Sequence, residues 1–311
     1  MRISKFIVRA REWFAVVIFS LLTLCQSQAA PLAEYLRYQA EDRVSLNALL
    51  WSPPQPTKSA VILVPGFYGS FSGGGHDYTP MAERLNAKGF AFMAANMRTA
   101  NDFTDPKLED AVKDVGAAVA ELKRRGFTDI ALFGTSLGGP RSMLYLTAKS
   151  DPAIKVYGLI ASIMSPYEEA QYRMNAADRQ RLDDFLVQTR DLVKNGQGHQ
   201  VVTFERWFNF RSVRMTARGF LNVFGSPTDT DISTPRRGPL VTLPTVVFHG
   251  TKDEISLPPN AQAIYDSLSA ASSRELVWVE GATHYLEPGW IADRYAQLVS
   301  EWVARRMPAV R

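Results

Sequence analysis

The chain has 311 residues, with 35 Lys and Arg against 31 Asp and Glu, a net charge of +4, four histidines and a single cysteine, Cys25. One cysteine cannot make a disulfide framework, and so few histidines beside one thiol argue against a zinc site; no metal is expected. The apolar fraction of 46% and charged fraction of 21% are those of an ordinary globular domain rather than a disordered or fibrous chain.

Arg2, Lys5, Arg9 and Arg11 precede an apolar run from Trp13 to Leu24, which ends in Ser27-Gln28-Ala29. This is the layout of a secretory signal peptide over residues 1–29, cleaved after or close to Ala29, and it predicts a periplasmic or secreted protein. The apolar run is about a dozen residues, short of the roughly 20 that span a bilayer, so no stable membrane insertion is expected after cleavage; a retained anchor is the alternative. A lipoprotein at Cys25 would want a small residue just before it, where Leu24 stands. Removing residues 1–29 takes away four basic and one acidic residue and leaves 31 against 30, a balance that argues against a nucleic-acid surface. The remaining stretch of about 280 residues suits one sizeable α/β domain, alone or with an insertion.

Leu36 to Ala40 and Val44 to Trp51 flank Glu41-Asp42-Arg43 and predict an antiparallel hairpin at a sheet edge. Apolar runs at Ala60 to Pro65, Phe90 to Asn96 and Ile130 to Phe133 then alternate with helical patterns at Met81 to Lys88 and Leu108 to Arg125. Val156 to Ile163, Thr245 to His249 and Glu275 to Val279 supply further strands, and Trp290 to Arg305 a closing helix. Such alternation predicts an α/β fold with a parallel sheet covered on both faces. Between Ser165 and about Leu240 it stops: the segment is charged, helical in pattern and rich in aromatics, among them Tyr167, Tyr172, Phe204, Trp207, Phe208, Phe210, Phe220 and Phe224. We read residues 165–240 as a helical cap inserted between two parts of the core, 30–164 and 241–311. Most of these aromatics would form the cap's own small core, and a few would line a substrate pocket.

Gly134-Thr135-Ser136-Leu137-Gly138-Gly139 joins the strand ending at Phe133 to a helix-like run from Pro140 to Ala148. A serine in so tight a strand-to-helix turn presents its hydroxyl above the sheet, and the flanking glycines remove side chains that would clash. The following helix aims free N–H groups and its positive end at the place where an oxyanion would form. A phosphate loop would carry Gly-Lys-Ser/Thr and a dinucleotide loop G-x-G-x-x-G, and neither pattern is present. Ser136 therefore reads as a nucleophile.

Two further strand ends complete the pattern. His249-Gly250-Thr251-Lys252-Asp253-Glu254 follows one apolar strand and Gly281-Ala282-Thr283-His284 another. Groups just beyond the carboxyl ends of parallel strands converge on one crevice, so Ser136, Asp253 and His284 should meet there. His284 would take the proton from Ser136 and return it to the leaving group, while Asp253 holds the other imidazole nitrogen. Glu254 is the rival acid, and His76, His199 and His249 the other histidines; His249 is expected to pack or to hydrogen-bond locally. The oxyanion donors would be the N–H of Leu137 and one from Val64-Pro65-Gly66-Phe67-Tyr68-Gly69-Ser70, with Phe67 preferred and Tyr68 next. The glycine-rich extension Phe71 to His76 is read as a surface loop, with substrate gating the alternative.

On Val61-Ile62-Leu63-Val64-Pro65-Gly66-Phe67, Gly134 to Gly139, His249 to Asp253 and Gly281 to His284, the chain resembles the α/β-hydrolase superfamily, in its serine esterase and lipase-like branch with a helical cap. The resemblance spans roughly Leu36 to Arg305. It implies a mostly parallel eight-stranded sheet, Ser136, Asp253 and His284 as catalytic residues, and Phe67 and Leu137 as oxyanion donors. Many such proteins carry His-Gly before the oxyanion residue where this chain has Pro65-Gly66, an exchange that keeps the Phe67 N–H. The implied activity is hydrolysis of a small carboxylic ester through an acyl-enzyme, without organic cofactor. A thioester, lactone or amide remains the alternative within enzymes, and a non-catalytic binding protein outside them.

Overall fold

The structure, a computed structural model, describes residues 32–70, 77–205, 212–284, 290–307 and 309–310. The expected signal peptide, the Phe71 to His76 extension and the aromatics Trp207, Phe208 and Phe210 lie outside the described residues. Among the described residues no helix is long and apolar enough to cross a membrane.

The chain opens with a hairpin, β1 (Ala33–Gln39) against β2 (Ser45–Trp51), paired from Ala33↔Trp51 to Gln39↔Ser45. Arg43 turns it with φ +65. Then strands and helices alternate: β3 (Ser59–Val64), α1 (Thr79–Ala87), β4 (Ala91–Ala95), α2 (Ala111–Arg124), β5 (Asp129–Thr135), α3 (Gly138–Ala148) and β6 (Ile154–Ile160). After a long intervening segment come β9 (Thr245–Gly250), α8 (Pro258–Ser267), β10 (Arg274–Val279) and α9 (Trp290–Arg306). The sheet order is β1-β2-β4-β3-β5-β6-β9-β10; the pairings of β2 with β1 and with β4 are antiparallel and the others parallel. This is the mostly parallel eight-stranded sheet that the sequence predicts. The helix α8, which begins at Pro258-Pro259, is an element the sequence reading does not name.

The order also fixes where a ligand can go. From β3 the chain crosses to β4 on one side, and β5 then takes the other side, so the crossovers change direction between β3 and β5. Loops leaving the carboxyl ends of two such strands diverge to opposite faces and leave a crevice between them. Here those loops are Pro65–Ser70 and the turn at Ser136.

Two apolar layers hold the sheet. Ala60, Ile62, Val64, Ile130 and Leu132 face α2, α3 and α8 through Val115, Leu122, Met143 and Ile264, whereas Val61, Leu63, Ala131 and Phe133 face α1 and α9 through Leu85, Val299 and Trp302. Successive strand residues thus point into different cores, which is why these strands read as unbroken apolar runs. Trp302 meets Phe133 edge-on at 6.1 Å, and its indole N–H donates to Glu275 at 3.0 Å.

The segment between β6 and β9 holds α4 (Pro166–Arg173), α5 (Ala176–Lys194), α6 (Ala217–Phe224) and α7 (Thr234–Arg237), and it also holds an antiparallel hairpin of β7 (Val201–Glu205) and β8 (Ser212–Thr216). This hairpin is an omission from the helical pattern read in residues 165–240. Its cause is visible in the residues: Phe204, Val213 and Met215 turn inward from a two-stranded ribbon whose other face is solvated, a period-2 pattern too short to stand out among charged neighbours. Side-chain caps start the helices, Ser165 for α4, Asn175 for α5, Thr216 for α6 and Ser233 for α7. The aromatics mostly pack among themselves, with Phe185 against Phe204 and Phe220 at 5.1 and 4.9 Å, and Phe220 against Phe224 at 5.1 Å. Tyr172 is exposed.

Trp302→Ala removes the largest buried side chain of the α9 layer together with its bond to Glu275. It should cost about 3–5 kcal/mol, seen as an earlier urea midpoint at unchanged slope.

Candidate active site

Ser136 stands between β5 and α3 with φ +53, a left-handed conformation that a side-chain-bearing residue adopts only at a cost of about 1–2 kcal/mol. The surroundings impose it. The Ser136 N–H donates to the Ile160 carbonyl on β6 at 3.1 Å, and the Gly139 N–H returns to the Ser136 carbonyl at 3.0 Å. A Cβ on Gly134 would land on the Gly138 carbonyl, and one on Gly138 would land on the Val64 carbonyl. The small flanks predicted from sequence are therefore sites of backbone-to-backbone contact.

From this turn a continuous chain of hydrogen bonds runs inward. Ser136 Oγ lies 2.9 Å from His284 Nε2, and His284 Nδ1 lies 3.0 and 2.9 Å from the two carboxylate oxygens of Asp253. A carboxylate only accepts, so the Nδ1 position carries the proton and Nε2 is left to accept from the Ser136 hydroxyl. Asp253 is buried, and its Oδ1 also accepts the N–H groups of Ile255 and Ser256 at 2.9 and 2.8 Å, which hold the carboxylate in one orientation. The loops that carry the acid and the histidine are themselves tied: Thr251 N–H donates to Val279, Lys252 N–H to Ala282, and Gly281 N–H to the Thr251 hydroxyl.

The rival residues have other partners. Glu254 accepts the His284 backbone N–H at 3.2 Å. His249 is fully buried, its Nε2–H donates to the Ser256 carbonyl at 2.7 Å, and its ring meets Trp278 edge-on at 5.9 Å. Burial pushes its pKa down against the pull of Asp253, 3.5 Å away. His199 is exposed on the segment before β7, and His76 lies outside the described residues.

Phe67 follows Gly66, which is pressed on the serine: a Cβ at Gly66 would stand 3.1 Å from Ser136 Cβ and 3.6 Å from its Oγ. Leu137 is buried directly after Ser136, at the start of α3. The loop that carries Phe67 thus packs against the Ser136 turn through Gly66, and Leu137 follows Ser136 at the start of α3. Phe67, Tyr68 and Phe103 form an aromatic cluster at this edge, with ring separations of 4.6 to 5.8 Å, and Phe67 reaches Phe224 of α6 at 6.1 Å. Tyr68 is half-exposed.

Two buried ionisable groups here are not singled out by the sequence reading. Arg141 on α3 sends its guanidinium to the carbonyls of the Pro65–Phe67 loop. Glu169 on α4 accepts from the Met164 N–H, the Ser256 hydroxyl and the Asn260 amide, and so ties α4 to the Asp253 loop. Glu169 looks like a surface charge in a linear reading, since it sits in a helical stretch with polar neighbours, and Arg141 is a lone charge in a helix that otherwise reads small and apolar. Only burial distinguishes them.

Burial, reinforced by the Asp253 charge, pushes the Glu169 carboxyl up to about 8. An acid with a higher pKa folded than unfolded contributes stability that is complete below its unfolded pKa and is lost as pH rises through its folded one. Thermal midpoints should therefore fall from about pH 5 to about pH 8. Glu169→Gln, which cannot ionise, should flatten that fall; an unchanged slope would assign the titration to another group.

The sequence matches no family model and no curated protein. Solved structures do share the architecture. The esterase domain of a Rhodothermus marinus protein superposes with a TM-score of 0.60 at 16% identity, covering 88% of this chain and 98% of that one. Est1E from Butyrivibrio proteoclasticus, with ferulic acid bound, gives 0.63 at 19% over 87% and 98%. A Pyrococcus horikoshii acylaminoacyl peptidase gives 0.65 at 14%, covering 92% of this chain and 43% of that one. The chain has the α/β-hydrolase fold.

Proposed function

We propose that this protein is a serine hydrolase that cleaves carboxylic esters through an acyl-enzyme, with Ser136, His284 and Asp253 as its catalytic triad. The observation that carries the reading is the unbroken Ser136–His284–Asp253 chain of hydrogen bonds at the carboxyl ends of β5, β10 and β9. The chain order Ser, Asp, His is the one this fold uses. The esterases among its structural neighbours support the same reaction class.

The proposed steps use each of the three residues. Ser136 Oγ attacks the ester carbonyl while His284 Nε2 takes the hydroxyl proton, and Asp253 stabilises the imidazolium through Nδ1–H. The carbonyl oxygen, now negative, is received by the N–H groups of Leu137 and Phe67. Collapse expels the alcohol, which takes the proton back from His284, and leaves Ser136 acylated. Water activated by His284 then releases the acid and restores the serine.

Phe67, Tyr68 and Phe103 offer an aromatic wall beside the nucleophile, which favours a moderately apolar substrate under a cap formed by residues 165–240. Similarity to an acylaminoacyl peptidase keeps an amide as the second reading. The N-terminal pattern favours a periplasmic or secreted enzyme, and the proposed reaction uses no organic cofactor.

Purified mature protein should hydrolyse short-chain p-nitrophenyl esters. Ser136→Ala should lower kcat by about 10⁴-fold or more with the fold intact by circular dichroism. Equal turnover by parent and variant, or none by a folded parent on esters while an anilide is cleaved, would reject ester hydrolysis at Ser136.

A further inference from the structure

Arg141 is among the largest fully buried side chains of the protein, 1% exposed, five residues after Ser136 on α3. Among the described residues no carboxylate forms an ion pair with it, and Asp114 acts on it only at a distance. An unpaired cation in a protein interior is expensive, and it persists only where hydrogen bonds replace its water. Here they do. Nη1 donates to the carbonyls of Pro65, at 3.2 Å, and of Gly66, while Nη2 donates to the carbonyl of Phe67 at 2.9 Å and to the Thr99 hydroxyl at 3.2 Å.

Three successive carbonyls of one loop are thus drawn toward one guanidinium. In a trans peptide the C=O and N–H point to opposite sides of the chain. Pinning the Gly66 carbonyl on Arg141 therefore turns the N–H of Phe67, which belongs to the same peptide unit, away from Arg141. That peptide unit begins at the residue whose Cα is pressed on Ser136. The same Gly66 carbonyl also accepts the Gly69 N–H at 2.9 Å, which closes a turn, and the Gly69 carbonyl in turn accepts the Met97 N–H at 2.7 Å, so Arg141 shares the Gly66 carbonyl with this turn. Gly69 has φ +74, and a Cβ there would strike Thr99, the fourth partner of Arg141.

From this geometry we infer that Arg141 is the positioning residue of the oxyanion site: it holds the Gly66–Phe67 peptide with its N–H toward the Ser136 hydroxyl and polarises it. The inference rests on the ester-hydrolase reading above. A cation on the carbonyl of a peptide withdraws electron density from its N–H, so the same contact that orients the donor also strengthens it. Burial lowers the guanidinium to about 10, which leaves it cationic at neutral pH. A lysine could not replace it, because one ammonium on a flexible stem cannot span three carbonyls as the planar fork does.

The test compares parent, Arg141→Lys and Arg141→Met on a p-nitrophenyl ester, with Ser136→Ala alongside. A trifluoromethyl ketone, which adds to the serine to give a tetrahedral oxyanion, reports the same site without turnover. Loss of an oxyanion donor predicts a kcat lower by about 10²–10³-fold with KM within about threefold. Affinity for the ketone should fall in step with kcat, because both depend on the oxyanion and the ground-state ester does not. A merely structural arginine would lower thermal stability and active fraction while leaving kcat per labelled serine and ketone affinity unchanged. That result overturns the assignment, as does collapse of both variants. Ser136-dependent turnover in the parent that persists in Arg141→Lys counts against Arg141 alone, whereas a parent without such turnover overturns the ester reading and this role together.

Discussion

The turn at Ser136 constrains most of what surrounds it. A left-handed serine between a strand and a helix is a state that the backbone leaves if it can, and it is held by contacts from both sides. Beneath it, Gly134 and Gly138 let the first turn of α3 pack on β5 and on the Val64 carbonyl without intervening side chains. Beside it, β6 accepts the Ser136 N–H through Ile160. Gly139 on the same turn is packed so closely on Ser162 that a Cβ there would overlap the Ser162 hydroxyl. The strain is small against these contacts, and in exchange the hydroxyl projects into the crevice rather than into the sheet.

The crevice exists because of topology, and its chemistry because strands end there. The crossovers change direction between β3 and β5, which opens a gap above the sheet, and the ends of β9 and β10 lie two and three strands away from β5. Asp253 and His284 reach across that distance because their loops are bound to each other by the Thr251, Lys252 and Gly281 hydrogen bonds. Inside, the Asp253 carboxylate is met by two backbone N–H groups and one imidazole, so its charge is compensated without a cation. The other buried ionisable groups sit just outside that chain. Arg141 shapes the loop on one side of the serine, and Glu169 anchors α4 to the loop that carries Asp253.

What the sequence disclosed and what it hid divide along a physical line. Strands buried on both faces announce themselves as apolar runs, and the glycine-flanked serine announces the turn, because both patterns are local in the chain. The convergence of Ser136, Asp253 and His284 was also legible, since parallel strands bring their carboxyl ends to one edge whatever the loop sequences. The hairpin of β7 and β8 escapes the sequence reading because few residues, chiefly Phe204, Val213 and Met215, mark its buried face. Arg141 and Glu169 were missed because their meaning is nonlocal: Arg141 acts on a loop 74 to 76 positions away, and Glu169 accepts from residues 87 and 91 positions away. A helical arginine and a helical glutamate look like solvated charges until the fold buries them.

If Ser136 is a nucleophile made reactive by His284, covalent trapping will reveal it without any choice of substrate. The folded protein would be treated with a fluorophosphonate, digested and mapped by mass spectrometry, with His284→Ala treated in parallel. The account predicts one adduct per chain, on the peptide bearing Ser136, and its near-complete loss in His284→Ala. Absence of an adduct from folded protein, labelling at a different serine, or equal labelling of Ser136 in both proteins would contradict it.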